Sequence, residues 1–149
     1  MRAVVQRVSR AAVRVEGETA AEIGLGLLVL VGVEKGDGPE DAAYIANKVA
    51  EVRIFNDDGG KMNRAVTEVN GAVLLVSQFT LHGDCRRGRR PSLDLAEAPG
   101  PARALYEDVG RRLRQRGLAA AEGVFQATMQ VELVNDGPVT ILLDSRRTF

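Results

Sequence analysis

Residues 2–9 partly alternate apolar and polar positions and are rich in valine, which predicts a strand. Ala12-Val13-Arg14-Val15-Glu16 predicts a second, with Val13 and Val15 on one face. Glu16-Gly17-Glu18 reads as a turn, and a short strand over 19–23 completes a hairpin. From Leu25 to Val33 the chain is nearly all apolar, the pattern of a strand buried on both faces. Gly36-Asp37-Gly38-Pro39 breaks the run, with Asp37 placed as a helix cap and Pro39 in the first turn. That helix runs to about Val52, with Ala42, Ile45, Ala46 and Val49 as its apolar stripe. Arg53-Ile54-Phe55 reads as a short strand and Asn56–Gly60 as a turn. Val73–Leu81 reads as a central strand and residues 82–98 as a long basic loop. Pro101 opens a second helix ending near Gly117, with Leu105, Val109 and Leu113 facing inward. Phe125–Val134 and Val139–Leu143 close the chain as two strands joined by Asn135-Asp136-Gly137-Pro138.

Period two puts Met129, Val131 and Leu133 on one side of the penultimate strand, and Val139, Ile141 and Leu143 on one side of the last. Seven or more strands with two helices define an α+β class. Two helices cover few strands, so the sheets are expected to curl into a compact β-barrel-like domain or to pair with a second subunit.

With 149 residues and 45% hydrophobic content, a single domain over 1–149 is expected. One cysteine (Cys85) and one histidine (His82) exclude a disulfide scaffold and argue against a structural zinc site. No cofactor or metal is expected. No span of eighteen apolar residues occurs, and the opening Met1-Arg2-Ala3-Val4-Val5-Gln6-Arg7 lacks a secretory apolar region, so a cytoplasmic protein is expected. The net charge of zero hides an asymmetry. Arg86 to Arg116 holds nine arginines against four acidic residues, net +5, and the remainder is net −5. Arg86, Arg87, Arg89 and Arg90 are the best candidates for contact with a phosphate backbone; a solvated loop is the plainer reading.

Two segments put polar side chains at the ends of apolar strands. Ser77-Gln78-Phe79-Thr80-Leu81 ends the central strand, with Ser77 and Phe79 on one face and Gln78 and Thr80 on the other. It reads either as a strand end reaching solvent or as hydroxyls and an amide beside a pocket. A serine nucleophile needs a base, His82 is the only histidine, and no Gly-x-Ser-x-Gly elbow exists, which argues against a triad. Asn135-Asp136-Gly137-Pro138-Val139-Thr140 reads either as a tight turn or as a rigid step holding backbone groups towards a ligand.

Together these two segments resemble the signature motifs of the D-aminoacyl-tRNA deacylase family. Met1–Val8, Gly60-Lys61-Met62-Asn63-Arg64 and Gly88-Arg89-Arg90-Pro91-Ser92 resemble that family too, in order and along essentially the whole chain. The resemblance implies a homodimer with two cross-subunit sites. It implies hydrolysis of the ester between a D-amino acid, or mischarged glycine, and the terminal ribose of tRNA. Ser77, Gln78, Phe79 and Thr80 would line the pocket. Gly137 and Pro138, through a cis peptide, would form a chiral selector reaching into the partner's pocket. Arg7, Met129, Asn135 and Thr140 would support it. Two positions depart from the family: Gln126 replaces a usual glycine and Cys85 a frequent threonine.

The expected partner is therefore tRNA, with no DNA or membrane partner. One rival reading is a nonenzymatic RNA-binding module using the arginine loop and the second helix. Another is a hydrolase using Ser77 or Thr80 as nucleophile, weakened by the missing base.

Overall fold

The computed structural model describes residues 1–149. Eight strands and two α-helices follow in order: β1 (Arg2–Val15), β2 (Glu18–Ile23), β3 (Gly26–Gly32), α1 (Pro39–Glu51), β4 (Phe55–Asn56), β5 (Met62–Arg64), β6 (Ala72–Ser77), α2 (Pro99–Gln115), β7 (Ala120–Glu122) and β8 (Gln130–Asp144). Short 3-10 turns cover Val66–Val69 and Phe79–His82.

The two strands expected over 2–16 are one. β1 pairs with β3 through Arg2–Val8, then with β2 through Ala11–Val15, so a single strand serves two parts of the sheet. β8 runs antiparallel to β1 for its whole length, with the register slipping around residues 6–10. It too replaces two expected strands. β3 pairs in parallel with β6, and β6 with β7, giving the order β2-β1-β3-β6-β7 with β8 on β1.

Burial follows from period two. Leu27, Val29 and Val31 face α1 and α2 together with Ala3, Val5, Val73 and Leu75. Leu28, Leu74 and Val76 face the other way and meet Val8, Ala11 and Val13 of β1, with Met129, Val131 and Leu133 packed against them. One face is thus covered by helices, and the other is filled by the sheet closing on itself into a nearly complete barrel. That is the barrel-like α+β fold expected from the excess of strands.

The first helix buries its predicted stripe of Ala42, Ile45, Ala46 and Val49. Its cap differs. Gly38 holds the N-terminus and donates its N–H to the Asp41 carboxylate at 2.8 Å. Asp37 instead accepts from the Glu34 N–H at 2.7 Å and pairs with the Met1 amine at 2.8 Å. α2 starts at Pro99, before the expected Pro101, and buries Tyr106 in place of Leu105. The Tyr106 hydroxyl donates to the Leu75 carbonyl at 2.9 Å, which ties α2 to β6. Burial, with the charge of Glu122 beside it, holds that phenol well above its ordinary pKa.

Candidate functional site

The central strand ends at Ser77, earlier than the apolar run suggests. Phe79–His82 turn into a 3-10 helix, so the alternation of faces expected for Gln78, Phe79 and Thr80 does not hold. Phe79 is pushed outward and is 56% exposed. Residues that open a helical turn have amides without a partner inside it, which leaves the Phe79 and Thr80 N–H groups unpaired within the turn. Gln78 reaches across the opening and bonds the Thr80 hydroxyl.

A cleft of about 480 Å³ lies beside this turn. Ser77, Phe79 and Met129 line it, with Phe125, Gln126 and Glu97 on its other sides. Gln78 and Thr80 are not among its lining residues. The chain is not a strand at 125–129, contrary to the alternation read there; β8 begins only at Gln130. Gln126 occupies the left-handed region with φ 63°, a conformation suited to glycine. A side chain there costs about 1–2 kcal/mol, and the turn it forms takes the segment out of the strand that alternation reads there.

Asn135–Thr140 is a separate construction on β8. The Asn135 carboxamide oxygen accepts the Val139 N–H at 3.1 Å, and its NH₂ donates to the Thr140 hydroxyl at 3.1 Å. Gln6 donates to that same hydroxyl at 3.3 Å. Asparagine and threonine on either side of the step thus hold it by both its backbone and its side chains. Arg7, 8% exposed, supports it from β1: Nε donates to the Asp136 carbonyl at 3.1 Å and Nη1 to the Ile54 carbonyl at 2.7 Å. The Gly137–Pro138 peptide is cis, and Gly137 has φ 127°. Gly137 and Pro138 are both exposed.

One chain does not bring the two segments together. Ser77 stands opposite Val31, Val31 opposite Ala3, and Ala3 opposite Leu143. The Gly-Pro step lies at the level of Arg7, four residues further along β1 and three strands from β6. Ordinary strand dimensions make that about 13 Å along the sheet and about 14 Å across it.

His82 is 1% exposed and neither ring nitrogen has a hydrogen-bond partner. Its Nδ1 lies 3.8 Å from a Glu34 carboxylate oxygen, and it does not line the Ser77 cleft. No serine–histidine pair exists. No three His, Cys, Asp or Glu side chains converge to hold a metal ion. No helix is long and apolar enough to cross a membrane.

The arginine loop is pinned at its base by Asp84 and Ser92, whose backbones exchange hydrogen bonds at 2.8 and 2.9 Å. Arg86, Arg87, Arg89 and Arg90 are all exposed. Arg86 grips Asp84 through Nη2 at 2.6 Å and Nε at 2.9 Å, bonds that hold the Asp84 carboxyl down at about 2. Arg87, Arg89 and Arg90 make no ion pair. The arginines of α2 and its C-cap are already paired: Arg103 with Glu107, Arg111 and Arg112 with Asp108, Arg114 with Glu122, and Arg116, just past the helix, with Glu51.

The family model described as D-Tyr-tRNA(Tyr) deacylase matches residues 4–144. The D-aminoacyl-tRNA deacylase of Anaeromyxobacter dehalogenans (strain 2CP-C) is 63% identical over 149 residues, all of both chains. That of Syntrophotalea carbinolica (strain DSM 2380 / NBRC 103641 / GraBd1) is 59% identical over the same span. The solved structure of the c-Myc DNA Unwinding Element Binding Protein superposes with a TM-score of 0.91 at 38% identity, covering 97% of this chain and 98% of that one. A solved probable eukaryotic D-amino acid tRNA deacylase shares the fold, with a TM-score of 0.79 at 16% identity over 95% and 97% of the two chains. The family match and the full-length relatives make this barrel-like sheet the framework of a deacylase. The chain belongs to the D-Tyr-tRNA(Tyr) deacylase family. A deacylase is a hydrolase acting on an ester bond, and the chain is an enzyme of that class.

Proposed function

We propose that the chain, working in the cytoplasm as one domain over residues 1–149, hydrolyses the ester joining a D-amino acid or glycine to the terminal ribose of tRNA, and that it spares L substrates. Two such sites form in a homodimer, each from the cleft of one subunit and the Gly137–Pro138 step of the other. The observation that carries this reading is the separation of the two segments: both are exposed, both are held in place, and they lie far apart on one chain. A second copy brings them together. β8 pairs on one edge only, and Leu142 and Val134 on it are 58% and 41% exposed, which suits a strand covered by a partner. Sedimentation equilibrium at micromolar protein is expected to give twice the chain mass of 16.0 kDa. A monomer there would defeat the shared site.

Chemically, the ester carbonyl is already activated and the ribose 2′-hydroxyl lies beside it. Water attacks with the assistance of that hydroxyl, and the unpaired amides at Phe79 and Thr80 stabilise the oxyanion. No side chain forms an acyl intermediate. A wall of backbone at Gly137 tests the α-carbon and leaves the side chain free, so L substrates are excluded by collision while glycine fits. Release of amino acid from matched D- and L-aminoacyl-tRNA by the purified protein tests this reading: turnover of the D substrate alone supports it, and binding without turnover overturns it. A nonenzymatic RNA-binding role is not favoured for a member of a deacylase family.

The tRNA backbone is taken by the arginine loop. Replacing Arg87, Arg89 and Arg90 by alanine should weaken tRNA binding and lower the slope of log K against log salt by about 2–3, close to one for each phosphate left unpaired. Arg86→Ala alone should do less, because Asp84 already neutralises it. An unchanged slope in filter-binding titrations would return these residues to a solvated surface.

A further inference from the structure

We propose that Gln126 binds the base of the substrate's terminal adenosine and so seats the constant end of the substrate in the cleft, an inference that rests on the deacylase reading above. Gln126 lines the same cleft as Ser77 and Phe79. It does so from a left-handed backbone with φ 63°, which a glycine would adopt without strain. Strain kept beside a cleft points to a use for the side chain. The local turn gives it none: that turn is closed by backbone alone, the Ala127 N–H donating to the Val124 carbonyl at 3.2 Å, and the Gln126 amide takes no part. The amide is exposed, with a donor and an acceptor both free.

The cleft says which part of the substrate this amide meets. Phe79, Leu93, Pro99 and Phe125 make its walls apolar and partly aromatic. Such walls suit a flat base. Among aminoacyl-tRNAs the amino acid varies and the terminal adenosine does not, so a rigid apolar cleft fits the constant part. The polar side chains available to a base there are Ser77, Glu97 and Gln126. Glu97 already accepts the Ala98 N–H at 2.8 Å through one oxygen. A carboxamide matches adenine in particular, donating to a ring nitrogen while accepting from the exocyclic amine.

The test pairs two enzymes with two substrates: wild type and Gln126→Gly, on D-aminoacyl-tRNA ending in adenosine or in purine riboside, which lacks the amine. Wild type should show a KM about tenfold higher for the purine riboside end, with kcat held, the size expected for one hydrogen bond. In Gln126→Gly the two substrates should have equal KM, at or above the wild-type value for the purine riboside end because both bonds are lost, while the melting temperature increases because the strain is gone. A structural role alone would not link KM to the exocyclic amine. If Gln126→Gly keeps the preference for adenosine, or if wild type hydrolyses both ends equally well, the inference is overturned and the deacylase reading stands. If wild type hydrolyses neither, the deacylase reading itself falls.

Discussion

Gly137→Ala should lower kcat/KM for D-aminoacyl-tRNA about 100-fold, a loss of about 2.7 kcal/mol of transition-state stabilisation. A Cβ built on Gly137 would lie 2.8 Å from Val139 Cγ2 and 3.0 Å from Arg7 Nη2. The backbone there, at φ 127°, is one that L residues rarely adopt. Neither neighbour gives way easily. Arg7 is held by the Ile54 and Asp136 carbonyls, and Val139 by Asn135 and by the core beneath it. The exposed segment 136–138 must therefore move. Displacement of the wall removes the seat of the D substrate and also the collision that excludes the L substrate. The ratio of D to L rates should fall together with the D rate, while circular dichroism retains the native spectrum. A variant with an unchanged D-to-L ratio would show that selection lies elsewhere.

A substrate ending in 2′-deoxyadenosine and charged at its 3′ position should react about 10²–10³ times more slowly than its ribose counterpart, with similar binding, a size that matches the usual contribution of a positioned proton-transfer group. No histidine lines the cleft, its one carboxylate, Glu97, already accepts the Ala98 N–H through one oxygen, and the side chains of Gln78 and Thr80 bond each other, so the missing hydroxyl has no ready substitute. Thr80→Ala should retain substantial activity, because the amide at residue 80 remains in place. Quenched-flow trapping of the reaction with acid should find no acyl-Ser77 or acyl-Thr80 species. An acyl-enzyme would replace this mechanism with nucleophilic catalysis, and a deoxy substrate cleaved at the normal rate would move the proton transfer from the ribose to a protein group.

Much of the fold was legible because burial has a period. The α1 stripe at Ala42, Ile45, Ala46 and Val49 and the doubly buried β3 are consequences of residue spacing alone. The long strands were not legible as single units. β1 carries the exposed Ser9 and Arg10 in its middle, and β8 carries Asp136–Pro138, because both continue through irregular pairing that sequence spacing reads as a break. β7 is three residues long and gains its place by pairing in parallel with β6, a long-range pairing with no local signal. The two motifs could be located in the sequence, and the resemblance supplied their meaning. Their separation on one chain depends on strand register, which no motif records. Gln126 stood out as a departure from a usual glycine; only its φ and its place on the cleft wall give that departure a physical cost and a use.

The shared site is the central claim, and subunit mixing tests it most directly. Phe79→Pro removes the N–H proposed for the oxyanion, at the first residue of a turn where proline is tolerated and after Gln78, whose φ of −139° keeps it out of the α region that a following proline disfavours. It should cost about 10²–10³ in rate. Gly137→Ala disables the other half of the site. Each variant alone should be nearly inactive on D-aminoacyl-tRNA. After the two are unfolded together and refolded at equal concentrations, half of the dimers should be mixed, and each mixed dimer should hold one site with both parts intact. Activity should return to about a quarter of the wild-type value. If each site were built within one chain, every site in the mixture would carry one defect, and mixing would restore nothing.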